Sequence, residues 1–257
     1  MADTRIDVRK TYKLYIGGTF PRSESGRSYP IAAANGDPLA NAVRGSRKDL
    51  RDAVRAARKA AQPWADKTAM NRGQVLYRVA ELMEGRHDQF VAEIARAEGL
   101  RDARARGLVD LSIDRWVWYA GWADKIGQIL GSSNPVAAPY FNFTIPEPTG
   151  VVGLVASETS SLLGLVSRLA PVVVSGNTTV IVASETRPLP AVTLAEVLAT
   201  SDVPGGVVNL LTGLKHELLP ILAAHVDVDA LDLWGAPPDM QAALETAAAD
   251  AFVKAIC

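Results

Sequence analysis

Cysteine is nearly missing from this chain: among 257 residues there is one, Cys257, and it is the last. An intrachain disulfide is excluded, and the usage fits a reducing, cytoplasmic compartment. Histidine is also scarce. The three present have no acidic or cysteine neighbours at ligand spacing, so no metal site is expected. Net charge is close to nil, with 27 Lys and Arg against 28 Asp and Glu, which gives no bulk attraction to nucleic acid or to an anionic membrane. Long apolar runs are missing too. The longest, Ser161 to Ser175, is interrupted by Arg168 and falls short of the roughly 20 residues a membrane span needs. The opening MADTRIDVRKTYK has charges but no apolar stretch behind them, so no secretory leader is expected. Repeats, low-complexity segments and a P-loop are all lacking.

What is present reads as alternating element types. "YKLYIGGTFPRSESGRSYPI" alternates apolar residues around Gly17-Gly18 and again after Ser25-Gly26, which predicts a short antiparallel ribbon. At Ser46 the period changes to that of a helix. Ser46 and Asp49 form a capping pair, and Leu50, Val54, Ala57 and Ala61 share a face. A second helix follows through Val75, Leu76, Val79, Leu82 and Met83, and a third through Phe90, Val91, Ile94 and Ala95. The basic stretch RDARARG, 101–107, reads as a solvated loop. A longer helix then carries Val109, Ile113, Trp116, Val117 and Ala120 to about Gln128. Trp116, Trp118 and Trp122 stand at i, i+2 and i+6 and do not share one face. They read as packing or interface residues rather than a nucleic-acid platform.

Beyond it, "NPVAAPYFNFTIPEPTG" sets Phe141, Phe143 and Ile145 in alternation between prolines. That pattern predicts an edge strand or protruding arm, with a surface hairpin as the alternative. From Gly150 short apolar runs (151–156, 178–182, 207–211, 230–233 and 252–256) are separated by helical stretches. This predicts an α/β fold, a doubly wound, parallel, five-stranded Rossmann-like sheet, preceded by a helical N-terminal region and the arm. The divisions expected are 1–134, 135–149 and 150–257. Such sheets bind ligands outside the carboxyl ends of their strands, so the residues following each strand carry the functional question.

The segments "YIGGTF", "AVRAARKAAQPWADKTAMNRGQVLYRVAELMEGR", "EPTGVVGLVA", "LAPVVVSGNTTVIVASETRPLPAVTLAEVL" and "DVPGGVVNLLTG" run collinearly with the N-terminal half of an aldehyde dehydrogenase. The chain resembles that family over nearly its whole length. The resemblance implies an NAD(P)-binding sheet and, near residues 135–147, an oligomerisation strand. It also implies that the catalytic glutamate and cysteine fall in a following domain, beyond Cys257. Cys257 itself matches the strand end before that glutamate and reads as an exposed or interface thiol rather than the nucleophile.

Matched to the family's motifs residue by residue, the cofactor and oxyanion positions depart from its pattern. The oxyanion loop, P-W-N-F-P in the family, corresponds to Ser157, Glu158, Thr159, Ser160 and Ser161, with Thr159 in place of the asparagine donor. The strand end K-P-S-E becomes Val182, Ala183, Ser184 and Glu185, keeping the glutamate and losing the lysine that reaches the ribose. The turn after the third strand keeps Gly213 and replaces its second small residue with Lys215. After the fourth strand T-G-S becomes Trp234, Gly235 and Ala236. Glu185, Gly213 and Gly235 are thus the remaining cofactor-binding candidates, and Val182, Lys215, Trp234 and Ala236 are the departures. Lys215 leaves two readings open, a lost small residue or a new phosphate partner. The resemblance supports a degenerate, non-catalytic subunit or regulator in a hetero-oligomer with an active full-length aldehyde dehydrogenase, binding no cofactor, with self-association as the other assembly. The alternative is an oxidoreductase component that binds NAD(P) and supports aldehyde oxidation in trans.

Overall fold

The computed structural model describes residues 9–256, apart from the side chain of Ile256. Cys257 lies outside the described residues. The N-terminal lead-in is a three-stranded sheet of β1 (Thr11–Tyr12), β2 (Ser28–Ala32) and β3 (Pro38–Val43), in the order β1-β3-β2. This corrects the expected ribbon. The Gly17-Gly18 turn does bring Ile16 against Thr19, but the antiparallel partner of β2 is β3, while β1 pairs parallel to β3. Pro38 and Asn41 break the alternation that would have revealed β3.

Four helices follow, α1 (Arg47–Ala65), α2 (Ala69–Glu84), α3 (His87–Glu98) and α4 (Asp102–Trp122). The capping box at the start of α1 is complete: Ser46 accepts from the Asp49 N–H and Asp49 accepts from the Ser46 N–H. Leu50, Ala53, Val54 and Ala57 then turn one buried face inward. Residues 102–107, expected as a loop, are the first turns of α4. Arg106 bonds Asp102 one turn back at 2.9 Å, and Ala105 is fully buried, so one apolar anchor and i,i+4 charge pairing suffice where a wider apolar stripe is missing. The helix also stops earlier than its sequence suggests, and the short α5 (Ile126–Leu130) follows. Trp118 and Trp122 do share a face, their rings 6.3 Å apart, while Trp116 is fully buried.

The arm is a two-stranded antiparallel ladder, β4 (Ser132–Ser133) with β5 (Phe143–Thr144). It carries Tyr140, Phe141, Phe143 and Ile145 into solvent, with the two phenylalanine rings 5.1 Å apart. The main sheet comprises β6 (Val151–Val155), β7 (Thr178–Val182), β8 (Val208–Leu211), β9 (Ala230–Asp232) and β10 (Lys254–Ile256). All are parallel, in the order β10-β9-β6-β7-β8. Helices α6 (Leu163–Val174), α7 (Leu189–Leu198), α8 (Lys215–Ala223) and α9 (Gln241–Asp250) make the crossovers.

Successive strand residues face opposite cores. Val152, Leu154 and Ile181 join one cluster with α2, α3, α4, α6 and α7, while Val151, Val155, Val180 and Val182 join another with α1, α8 and α9. Burial on both faces explains why these strands read as continuous apolar runs. The chain runs outward from β6 through β7 to β8, then returns to the other side of β6 for β9. The switch point therefore lies between β6 and β9, where such sheets open a crevice for ligands. No helix among the described residues is long and apolar enough to cross a membrane.

Candidate functional site

Three connections meet at the carboxyl ends of the central strands. After β6 come Ser157 to Ser161; after β7, Ser184 to Arg187; after β9, Trp234 to Ala236. Lys215, the first residue of α8, enters this meeting point from the far side of β7. Its side chain is 4 % exposed. Its Nζ donates to the Ala156 carbonyl at 2.6 Å and to the Gly235 carbonyl at 2.8 Å, and it pairs with Glu158 Oε1 at 2.6 Å. One ammonium thus has three oxygen partners, the full donor capacity of a lysine. As folded, each proton of Lys215 is committed within the chain, one of them to Glu158, so it offers none to a phosphate while Glu158 stays in place.

Glu158 answers the same geometry from the opposite side. Its Oε1 accepts from the Glu185 N–H at 2.8 Å, and its Oε2 accepts from the Thr186 N–H at 3.0 Å, Ser184 Oγ at 2.7 Å and Thr186 Oγ1 at 2.7 Å. Burial opposes ionisation of this carboxyl, but the bonds from Lys215, Ser184, Thr186 and the Glu185 N–H outweigh it and hold the group down at about 2. Arg187 Nη1 fixes the Glu158 carbonyl at 3.0 Å, and Glu98 Oε1 takes both the N–H and the hydroxyl of Ser161. The loop is pinned at both ends.

The other sequence-predicted residues fall around this pair with different roles. Glu185 Oε2 accepts from the backbone N–H of Lys215 at 2.8 Å, so its carboxylate holds the start of α8. Gly213 has φ +152°, and a side chain there would press on Gly45 and Leu218, so its small size serves the approach of the N-terminal segment. Gly235 sits against the end of β6, where an added carbon would collide with the backbone of Val155 and Ala156. Val182 is fully buried in the core shared with α1 and α8. Ala236 packs at the edge of that core. Thr159 is exposed, and its hydroxyl and N–H both bond Ser157 Oγ, at 3.0 and 3.1 Å.

Trp234 lies over the start of α6. A side chain at Gly164 would collide with its indole, and Arg168 stacks on the ring at 5.1 Å while reaching Asp232 at 3.4 Å. The Gly164 N–H is taken by Ser160 Oγ at 2.9 Å. Beside the crevice, a cavity of about 510 Å³ runs between Tyr29, Ala33, Ala97, Glu185, Thr186 and Arg187. The Tyr29 hydroxyl is buried, and burial raises its pKa. The residue the sequence reading passed over is Glu158, aligned with the family tryptophan of the oxyanion loop and given no role of its own. The signal was there: an acid after one strand of a parallel sheet and a base after another, in positions where both side chains point over the strand ends. Among the described residues no group of three or more His, Cys, Asp or Glu is placed to hold a metal ion.

This architecture has well-defined relatives. The aldehyde dehydrogenase family model matches residues 21–257. Retinal dehydrogenase 2 of Gallus gallus is 34 % identical over 239 residues, covering 90 % of this chain and 45 % of its own. Cytosolic aldehyde dehydrogenase 1 of Elephantulus edwardii is 30 % identical over 259 residues, covering 98 % and 50 %. Of solved structures, HpcC from Thermus thermophilus superposes with a TM-score of 0.89 at 29 % identity, over 95 % of this chain and 47 % of that one. An aldehyde dehydrogenase from Bacillus cereus, solved as an NAD+ complex, also gives 0.89, at 25 % identity over 95 % and 50 %. The chain spans about half the length of the curated relatives it matches. Family model, relatives and fold agree with the collinear motifs: the chain belongs to the aldehyde dehydrogenase family.

Proposed function

We propose that this chain is a non-catalytic member of its family, a cytoplasmic structural or regulatory subunit that associates with an active, full-length aldehyde dehydrogenase. One observation carries the reading. At the switch point, where this fold would receive a dinucleotide, Lys215 and Glu158 use each other and the surrounding carbonyls, N–H groups and hydroxyls as partners. The residues present do not fit NAD(P). A pyrophosphate approaching the strand ends meets a carboxylate in place of free donors, and an indole over the first turn of α6. Thr159 faces solvent with its hydroxyl engaged by Ser157, which supports the absence of an oxyanion donor. Association is supported by the arm, whose Tyr140, Phe141, Phe143 and Ile145 are all more than half exposed. Strand ladders of this kind join a neighbour by main-chain pairing.

The test is the native mass and chain composition of the assembly isolated from source cells, together with NAD+ and NADP+ titration and an aldehyde oxidation assay on the purified chain. A mixed particle containing a full-length aldehyde dehydrogenase, with no cofactor binding and no turnover by the chain alone, is the expected result. Turnover by the purified chain would sink the proposal.

A further inference from the structure

Among the polar groups around Glu158, Lys215 and Ser184 are also held by other bonds within the chain. Two consecutive backbone N–H groups, those of Glu185 and Thr186, point into one small volume together with the hydroxyls of Ser184 and Thr186 and the ammonium of Lys215. Lys215 is anchored independently by the Ala156 and Gly235 carbonyls, and its backbone by Glu185. The Ser184 hydroxyl also accepts from the Arg187 N–H at 3.0 Å, which fixes the turn. Five donors converging on one anionic group are the equipment of a phosphate or carboxylate site.

We propose that this is a preformed site for a phosphoryl group and that Glu158 is its built-in occupant, an internal carboxylate that closes the site by filling it. The proposal rests on the non-catalytic reading above and supplies its mechanism: the crevice is shut by competition from a tethered anion. Tethering gives Glu158 a high effective concentration that a free ligand must overcome. Its ionisation persists at every physiological pH, so protonation does not release it. The site nonetheless lies within reach of solvent, since the Glu158 side chain is 36 % exposed. The cavity of about 510 Å³ beside Glu185 and Thr186 leaves room for the remainder of a phosphate-bearing molecule.

The experiment compares the full chain with Glu158→Ala, titrating each with inorganic phosphate, pyrophosphate, ADP and NAD+ by calorimetry and by thermal shift. The variant should bind phosphate or pyrophosphate at least roughly tenfold more tightly than the unmodified chain, because charge-assisted donors are released. Tighter binding of ADP than of pyrophosphate would assign the ligand as a nucleotide using the adjoining cavity; equal binding would assign it as a free anion. If Glu158→Ala does not fold alone, Glu158→Gln, of the same size and without the charge, is read by the same comparison. Equal anion affinity of the folded variant and the unmodified chain overturns the proposal. That result leaves the non-catalytic reading standing. Conversely, turnover by the unmodified chain defeats that reading, while a gain of phosphate binding in the variant still supports the built-in occupant.

Discussion

The strand-end crevice and the arm treat unsatisfied chemistry in opposite ways. In the crevice Lys215 and Glu158 have found their partners inside the chain. On the arm, Phe141 is 79 % exposed and Tyr140 is 76 % exposed, and the described residues of the chain do not cover them. A ligand site that satisfies itself no longer depends on a ligand for stability. An apolar arm left bare gains from burial against another surface. The contrast supports the arm as the surface through which the proposed association would run.

The comparison is broken most severely at Lys215. Replacing it with methionine leaves the half-buried Glu158 without its counter-charge and two carbonyls without their donor, and should cost about 3–5 kcal/mol in chemical denaturation. A loss under about 1 kcal/mol would show that the pair contributes little. Glu158→Gln keeps the volume and should cost less, about 2 kcal/mol, since this carboxylate is partly exposed and partly screened. The two changes also differ in acid. The Glu158 carboxyl is lowered in the folded state from its ordinary 4.5 to about 2, so its contribution is present above 4.5 and is lost as pH falls through 2. In acid unfolding, the unmodified chain should therefore lose stability across that window relative to Glu158→Gln. Parallel curves would refute the linkage.

Trp234→Ala sharpens the comparison from the rim of the crevice. It removes the stacking of Arg168 and uncovers the start of α6, for an expected cost of about 1 kcal/mol. It should not raise phosphate affinity, because Glu158 remains in place; a rise would move the barrier from the carboxylate to the indole. The smallest effect on stability is expected on the arm. Phe141→Ser with Phe143→Ser should change the unfolding free energy of the isolated chain by under about 0.5 kcal/mol. The same double change should lower the native mass measured by light scattering. An unchanged mass would place the contact surface elsewhere.

Much of this molecule is written in the sequence in the plainest physical code. The main sheet is legible because its strands are buried on both faces, and the early helices because their apolar residues repeat along one side. The lead-in was harder. β3 includes Pro38 and Asn41 and pairs in parallel with β1, so neither alternation nor a hairpin turn announces it. The first turns of α4 were hidden by charge, because Ala105 alone anchors them to the core while Arg106 and Asp102 pair outside. At the site, Gly213, Gly235, Glu185 and Lys215 could be found by position, but their work could not. Each is defined by a partner from a distant stretch of chain: Gly45 for Gly213, the end of β6 for Gly235, the start of α8 for Glu185. Glu158 was overlooked for the same reason, since a lone acid in a serine-rich loop acquires meaning only when Lys215 is folded against it.

The reach of Lys215 has a further effect on the timing of motion in the sheet. Strand ends are ordinarily where a parallel sheet frays, each ladder opening on its own. Here one side chain fastens the exit of β6 to the turn beyond β9 while its own backbone stands at the exit of β8. These ends can separate only together, as one cooperative unit, so amide hydrogens near Ala156 and Gly235 should exchange at rates close to those in the middle of the sheet.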